Sequence, residues 1–465
     1  MIKNINIHGL RGFSEKQKIE FAIPNGNLGS GITFLVGGNN SGKTTILEAL
    51  RSYNCFVGNP PTFSERKRNK KCEDGRVHLS LQSTDGSIFS IDTADGGGSP
   101  TVIRKNGLPM TDDTLPQIFV LQSRRFVEYE FHQSDMNRYD YVRNQQSNYH
   151  NRSSVLNDFN ARLFNMYRNK VKFDPIIKKI LGYDLKWTIE QNENGTYYLK
   201  LIVNGCEHSS EGMGDGIWSI FTICDSLYDS KAGDTIAIDE PELSLHPALQ
   251  KKVLSLLKEY AKDRQIIIST HSPYYIDMDS IVNGANLYRT VKNSEGAIEV
   301  YGLSDVSKNY LRGFILDINQ PHTFGTEAKE LFFLEDKVIL VEGQEDVIMY
   351  SKAANDLEIE LYGNFFGWGA GGAPKIPKVL RILSDLGYKK VAVIFDGDKL
   401  SEKVTIEKEY PEYSFFIITA DDIRDKRAIV NKPEKLGMMT EKGELKSQYN
   451  HEMLELLSKI NSCLK

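Results

Sequence analysis

One stretch constrains this chain more than any other: Gly37-Gly38-Asn39-Asn40-Ser41-Gly42-Lys43-Thr44, spelled GxxxxGK[ST]. It follows the apolar run Ile32-Thr33-Phe34-Leu35-Val36, which reads as a buried strand, and opens a helical stripe of Ile46, Leu47, Leu50 and Tyr53. In that order, strand, glycine loop and helix place backbone N–H groups around an anion at a helix N-terminus. Gly37, Asn39, Asn40, Ser41, Gly42 and Thr45 form the cradle for ATP. Lys43 then reaches the β- and γ-phosphates, and Thr44 offers its hydroxyl to Mg²⁺. Average composition would produce such a match in about two chains per hundred of this length, so the flanking strand and helix carry the weight.

A second apolar strand, Thr235-Ile236-Ala237-Ile238, ends in Asp239-Glu240-Pro241. A carboxylate at a strand's carboxyl end beside the phosphate loop is placed to hold Mg²⁺, and the next one to polarise the attacking water. The roles fall to Asp239 and Glu240. Gln265-Ile266-Ile267-Ile268-Ser269-Thr270 ends in His271, whose place in this order points to the γ-phosphate.

With 465 residues, 40% hydrophobic and 26% charged, the chain has material for about three domain-sized units and is no disordered polymer. No apolar run nears the ~18 residues of a membrane helix, so no membrane role is expected. The start Met-Ile-Lys-Asn-Ile-Asn-Ile-His lacks a charged head and apolar block, so secretion is not expected. Five scattered cysteines without a CxxC pair speak against disulfides and cysteine zinc sites, and for a reducing cytoplasm. A net charge of −5 means that any nucleic-acid contact must come from a local patch.

Ile5 and Ile7, then Ile19, Phe21 and Ile23, read as a hairpin around Leu10–Ser14. Residues 59–109 are strand-like and turn-rich, with Asp85-Gly86 and Gly96-Gly97-Gly98. From Arg124 to about Leu181 the pattern turns polar and helical, an inserted arm of about 124–184. Strands at 185–203, a helix from Asp215 and a strand–helix alternation to Tyr275 follow. A boundary is expected near 320–335, after Gln320-Pro321-His322-Thr323-Phe324-Gly325, giving domains 1–330 and 331–465. Beyond it come strand 337–341, helix 345–357, a helix with the stripe Ile376, Val379, Leu380, Leu383, and strands 391–395 and 414–419.

Three apolar strands of that second part end in acids: Glu342-Gly343-Gln344-Glu345-Asp346, Asp396-Gly397-Asp398, and Asp421-Asp422. Strand carboxyl ends form the ligand crevice of an open parallel sheet, so these carboxylates converge. Converging carboxylates repel without a cation, and an all-oxygen set suits Mg²⁺ or Mn²⁺. A DxD triplet alone says nothing; its strand-end position, 54 residues after Glu342, does.

The first set of motifs resembles the ABC-type ATPase heads of the RecF, SMC and OLD (overcoming lysogenization defect) families. Ile7-His8-Gly9-Leu10-Arg11-Gly12-Phe13 looks like their opening strand, and Asp239–Glu242 with Ser244-Leu245-His246-Pro247 like Walker B plus D-loop. Ser210-Glu211-Gly212-Met213-Gly214-Asp215-Gly216 stands at the signature loop but departs from LSGGQ. The resemblance makes Ser210 and Gly212 nucleotide contacts across a homodimer or higher oligomer, His271 the switch histidine and Gln122 a stand-in for the Q-loop. The second set looks like a Toprim domain. Carried over by position, Glu342 is the general acid/base, Asp396 and Asp398 are metal ligands, Asp346 is a further ligand, and Asp422 or Asp425 serves as a later acid. Gly367-Trp368-Gly369-Ala370-Gly371-Gly372 is either a backbone approach to a scissile strand or a turn. Leu331-Phe332-Phe333-Leu334-Glu335-Asp336-Lys337 looks like the OLD junction.

The fold expected is thus α/β: an ABC/RecF-like P-loop ATPase domain with an inserted helical arm, followed by a Toprim α/β domain. What that order implies is an ATP-regulated, metal-dependent DNA endonuclease of OLD type in antiviral defence, acting with a partner protein or with retron nucleic acid as some members do. The rival is a non-catalytic ABC-type DNA-binding or signalling module. A topoisomerase would need an added DNA-binding domain with its tyrosine, and a bacterial-type primase a zinc module that the cysteines exclude. Arg66-Lys67-Arg68-Asn69-Lys70-Lys71 reads as a DNA contact or a solvated loop, and Arg138, Tyr139, Tyr141 and Arg143 as a partner surface or DNA contact.

Overall fold

The computed structural model describes residues 1–465 except 73, 95–97, 126, 148–155, 157–158, 204, 213, 318, 320–322, 334–335 and 429–432, and describes no side chain at 145–147, 203 and 210. Outside it therefore lie parts of the Gly96–Gly98 turn, of the Gln320–Gly325 boundary and of the Leu331–Lys337 junction, together with Met213 and the side chain of Ser210.

A strand covered on both faces reads as an unbroken apolar run, and all five residues of β3 (Ile32–Val36) are buried. Before it come β1 (Ile2–His8) and β2 (Gln17–Glu20), the expected antiparallel hairpin with Ile5 opposite Ile19; Phe21 and Ile23 fall just outside β2. After it come α1 (Lys43–Arg51), β4 (His78–Ser83), β5 (Ile88–Thr93), β6 (Thr101–Lys105), β7 (Leu108–Pro109) and β8 (Ile118–Leu121). The arm region holds α2 (Arg138–Ser147), α3 (Phe159–Arg168) and α4 (Lys170–Leu181), followed by β9 (Lys186–Gln191), β10 (Tyr197–Val203) and β11 (Cys206–Ser209). Next are α5 (Asp215–Tyr228), β12 (Thr235–Asp239), α6 (Pro247–Tyr260), β13 (Gln265–Ser269), α7 (Met278–Val282), β14 (Asn286–Lys292) and β15 (Ile298–Gly302).

One sheet runs β15-β14-β3-β13-β12-β8, with β14, β3, β13, β12 and β8 parallel. The other, β2-β1-β4-β5-β6-β7, is antiparallel. Helix α1 lies in the core they share: Ile46, Leu47 and Leu50 pack with Ile5, Ile7, Leu79 and Ile91 of one sheet and Ala237 and Ile267 of the other. Tyr53, expected on α1, sits two residues past its end but fully buried. The carboxyl ends of β3, β12 and β13 thereby carry Gly37, Asp239 and His271 to one edge of one sheet.

In the arm, Phe173 of α4 meets Trp187 of β9 and Phe221 of α5 at ring separations of 5.7 and 5.5 Å. The buried Arg162 guanidinium of α3 lies 2.8 Å from Asp225 and 2.6 Å from Asp229. Burial works against its charge, yet those two carboxylates outweigh that and raise its pKa. The sequence reading holds for the helices and for strands at 185–203; the third strand, β11, has an all-exposed pattern that no periodicity reveals.

The chain divides into one unit over Met1–Val300 and another over Tyr301–Lys465. The second contains α8 (Asp305–Ile315), α9 (Thr326–Glu330), β16 (Lys337–Leu340), α10 (Gln344–Asp356), β17 (Asn364–Phe365), α11 (Ile376–Asp385), β18 (Lys390–Phe395), α12 (Leu400–Glu409), β19 (Ser414–Ile417), β20 (Asp422–Arg424), β21 (Gly437–Met439) and α13 (Asn450–Leu464). Residues 301–330, assigned to the first domain by sequence, cluster with this unit, where Asp385 of α11 accepts bonds from Ser304 N at 2.9 Å and Ser307 Oγ at 2.6 Å. Its sheet is β17-β16-β18-β19, parallel throughout, and α11 buries Ile376, Val379, Leu380 and Leu383 as the stripe requires. A separate parallel pair, β20-β21, carries Asp422. Among the described residues no helix is long and apolar enough to cross a membrane.

Candidate active sites

Residues 37–42 turn between β3 and α1 with φ of 135° at Gly37, 60° at Asn40 and 102° at Gly42. A methyl group on Gly37 would lie 2.2 Å from the Thr290 carbonyl oxygen, so only glycine lets the loop pass. Ser41 Oγ meets Thr290 Oγ1 at 2.7 Å and fastens the turn to β14. Lys43 Nζ donates to the carbonyls of Gly37 and Gly38, both at 2.9 Å, and burial lowers its pKa to about 8. Thr44 and Asn39 are exposed, Thr45 buried.

Across the loop, Thr44 Oγ1 donates to Asp239 Oδ2 at 3.1 Å. The other oxygen of Asp239 is buried with no hydrogen-bond partner among the described residues, and burial raises the carboxyl's pKa. A threonine hydroxyl and an unsatisfied buried carboxylate oxygen facing the same loop are a hard-oxygen pair that fits Mg²⁺. Glu240 has a left-handed φ of 47°; its Oε1 stands 3.8 Å from His271 Nε2. Burial and the nearby Lys43 hold His271 down at about 4, so it is neutral at physiological pH.

Two residues to which sequence reasoning gave no role of their own organise this pair. Glu242 accepts from Thr270 Oγ1 at 2.8 Å and from the His271 N–H at 2.6 Å, fixing the switch segment. Arg125, buried at the root of the arm, donates through Nη2 to the carbonyls of Asp239 and Glu240 at 2.5 and 3.0 Å, and through Nε to that of Gln122 at 2.9 Å. Nothing in a single sequence separates Arg125 from an ordinary surface arginine. Gln122 itself is half-buried. Gly212 lies in an exposed turn with open space around it, before α5.

Of the basic run 66–71, Arg66, Lys70 and Lys71 are exposed and Lys67, Arg68 and Asn69 half-buried, as a solvated loop would be. With Arg11, Gly12 and Glu295–Ala297 it lines an open surface pocket of about 320 Å³. Methyl groups on Gly12 and Gly42 would each lie 2.5 Å from Ile298 Cδ1, so this side chain packs against both glycines.

In the second unit, Asp346, Asp396 and Asp422 place carboxylate oxygens within 4.8 Å of one another, all three residues buried. Asp346 accepts from the Gly343 N–H at 2.8 Å and so caps α10. Its pKa is pushed up to about 7 by burial and by Glu342 and Asp422; Asp396 is pushed to about 8 by burial and by Asp346, Asp422 and Glu342. Glu342 Oε1 lies 3.4 Å from the Asp396 N–H, and burial raises its pKa too. Gly397 is required because its Cβ would sit 2.3 Å from the Ala420 carbonyl. Asp398 is not among the three clustered acids; it pairs with Lys435 at 2.7 Å and Lys399 at 3.3 Å, and Lys435 also reaches Asp422 at 3.6 Å. Of the two later acids, Asp422 joins the cluster, whereas Asp425 bonds Lys446 and the Gly437 N–H. Three crowded oxygen donors that repel one another fit a hard divalent cation.

Comparison with known proteins finds similar domains along the chain. Residues 1–93 match the family described as AAA ATPase domain, and 88–277 the one described as AAA domain, putative AbiEii toxin, Type IV TA system. Residues 333–398 match the TOPRIM domain of overcoming lysogenization defect protein-like proteins. Similar proteins include an OLD nuclease of Thermus scotoductus, 34% identical over 129 residues (27% of this chain and 24% of the relative). The Old nuclease of Escherichia phage P2 is 29% identical over 184 residues, 38% of this chain and 30% of the relative. The Septu protein PtuA of Bacillus thuringiensis is 24% identical over 315 residues, 60% and 74% respectively. An SMC head domain from Thermotoga maritima is 14% identical with a TM-score of 0.38, over 65% of this chain and 99% of that one. The class is therefore an AAA-type ATPase head followed by a C-terminal Toprim domain. In that order the matched domains are similar to those of OLD proteins, and the chain spans about a quarter to a third of the length of its two OLD relatives.

Proposed function

We propose that this protein is an ATP-regulated, divalent-metal-dependent DNA endonuclease of the OLD type, acting in the cytoplasm in antiviral defence. The observation that carries the reading is the convergence of Asp346, Asp396 and Asp422 at one end of a parallel sheet, in a chain that also carries a complete phosphate loop.

In the head, ATP phosphates enter the Gly37–Thr45 cradle and Lys43 leaves the loop carbonyls for the β- and γ-phosphates. Thr44 and Asp239 hold Mg²⁺. Glu240 takes the proton of the attacking water, and neutral His271 donates toward the γ-phosphate. The Ser210–Gly212 turn completes the site of a second copy, which makes the working form a homodimer or larger, with room for a partner protein or retron nucleic acid.

In the Toprim domain, which we place at 331–465, Asp346, Asp396 and Asp422 hold Mg²⁺ or Mn²⁺, and Asp398 joins them when Lys435 is displaced. A cation held by these carboxylates would supply charge neutralisation at a phosphate and its leaving oxygen. Glu342, above the Asp396 N–H, moves the proton as general acid/base. The test is nicking of supercoiled plasmid with Mg²⁺ or Mn²⁺. Wild type nicks and Asp396→Ala does not while its ATP turnover persists; equal nicking by both would leave the Toprim half a binding platform.

A further inference from the structure

The glycine-rich loop 367–372 is a docked pad and not a free turn. Ala370 N–H donates to the Val341 carbonyl at 2.9 Å, and the N–H groups of Gly371 and Gly372 both donate to the Glu342 carbonyl, at 2.9 and 2.8 Å. Gly369 passes so close that a methyl there would lie 2.7 Å from Gly343 Cα. Positive φ values of 46°, 87°, 85° and 107° at Gly367, Gly369, Gly371 and Gly372 are the conformations glycine tolerates. The loop's root is pinned by buried Phe366, whose ring lies 5.3 Å from that of Phe324.

On this rigid pad stands Trp368, 37% exposed, while the chain's other two tryptophans, Trp187 and Trp218, are each 3% exposed. No described ring stacks on it. The backbone that presents it is bonded to Glu342, the residue whose carboxylate overhangs Asp396. Lys399 and Lys435 stand at Asp398, close to the same acids, as cations for a phosphate backbone. Trp368 is thus an exposed indole on a rigid loop whose backbone is bonded to Glu342, with an open face on which a planar group can stack. Bases inside a duplex have their faces occupied by their neighbours, so an indole can take only a base that is out of the stack.

We propose that Trp368 is a stacking platform for an unpaired nucleobase next to the phosphate at the acid cluster, so that the substrate class is DNA with a single-stranded segment. This deepens the nuclease reading and rests on it for the identity of the ligand. With Ca²⁺ in place of Mg²⁺, full-length protein is titrated with a short single-stranded oligonucleotide and with the matching duplex, following tryptophan fluorescence and oligonucleotide anisotropy. Because the other indoles are buried, quenching reports Trp368. The single strand quenches wild type and not Trp368→Phe; Trp368→Ala binds it about tenfold more weakly while Trp368→Phe stays near wild type, and duplex affinity is unchanged. Melting temperatures of the variants establish that they fold. Single-strand binding without quenching, equal weakening for duplex and single strand, or full affinity in Trp368→Ala overturns the proposal. The two readings fail separately. Asp396-dependent nicking with a silent Trp368 removes the platform alone. Quenching and weakened binding without any nicking removes the nuclease and keeps the platform as a single-strand binding site.

Discussion

Replacing Asp396 by asparagine should stabilise the metal-free protein, against the usual cost of altering a buried residue. In the unfolded chain an aspartate releases its proton near 3.8, whereas in the fold burial and three neighbouring acids hold it to about 8. Between those values the native state binds more protons than the unfolded one, so stability falls as pH rises, by about 1.4 kcal/mol per pH unit for a fully retained proton. The ceiling at pH 7 is about 4 kcal/mol by the same arithmetic. Lys426 relieves part of it, since its ammonium stands 2.6 Å from Asp422. Local relaxation relieves more, leaving about 1–2 kcal/mol, or roughly 2–8 °C for a unit of this size. Thermal melts in EDTA should show Asp396→Asn above wild type at about pH 8 and level with it at about pH 5. Added Mg²⁺ should then raise wild type by mass action and the variant less. A pH-independent loss, or equal metal shifts in both proteins, would refute the reasoning.

Lys43→Ala should lose nucleotide binding in a fluorescent-ATP titration without unfolding, whereas Glu240→Gln should bind normally and retain unhydrolysed ATP on gel filtration. Arg125→Ala should lower kcat for ATP at nearly constant KM, with partial recovery in Arg125→Lys, since the guanidinium grips backbone behind the acids and touches no substrate group. Arg162→Ala leaves Asp225 and Asp229 facing each other in the arm's core and should cost about 3–5 kcal/mol in denaturant melts. Gly369→Ala collides with the Gly343 backbone and should weaken metal-dependent stabilisation of the protein.

The parallel strands were legible because burial on both faces writes an uninterrupted apolar run: Ile32–Val36, Thr235–Asp239, Gln265–Ser269 and Lys390–Phe395 all stand within a residue or so of expectation. Their strand-end acids followed from the same logic. Legibility ends where partners are distant in sequence. Asp422 and Asp425 are equivalent in the chain, and only the pairing of β20 with β21, together with Lys446 on Asp425, separates them. Arg125 and Glu242 act on backbone carbonyls and N–H groups, contacts that leave no pattern in side-chain spacing. The run 66–71 looks solvated by composition and is so in part; that it lines an open pocket with Arg11 and residues 295–297 follows from partners far along the chain.

The acid cluster draws one carboxylate from the helix after β16, one from the end of β18 and one from β20, with Gly397 pressed against Ala420 to hold the last two in register. No fragment ending before residue 422 owns the full set. During synthesis the chain therefore lacks one of the three carboxylates until β20 has been made. On the nuclease reading proposed above, a half-made copy would not own the complete cation site, so topology itself would delay the activity.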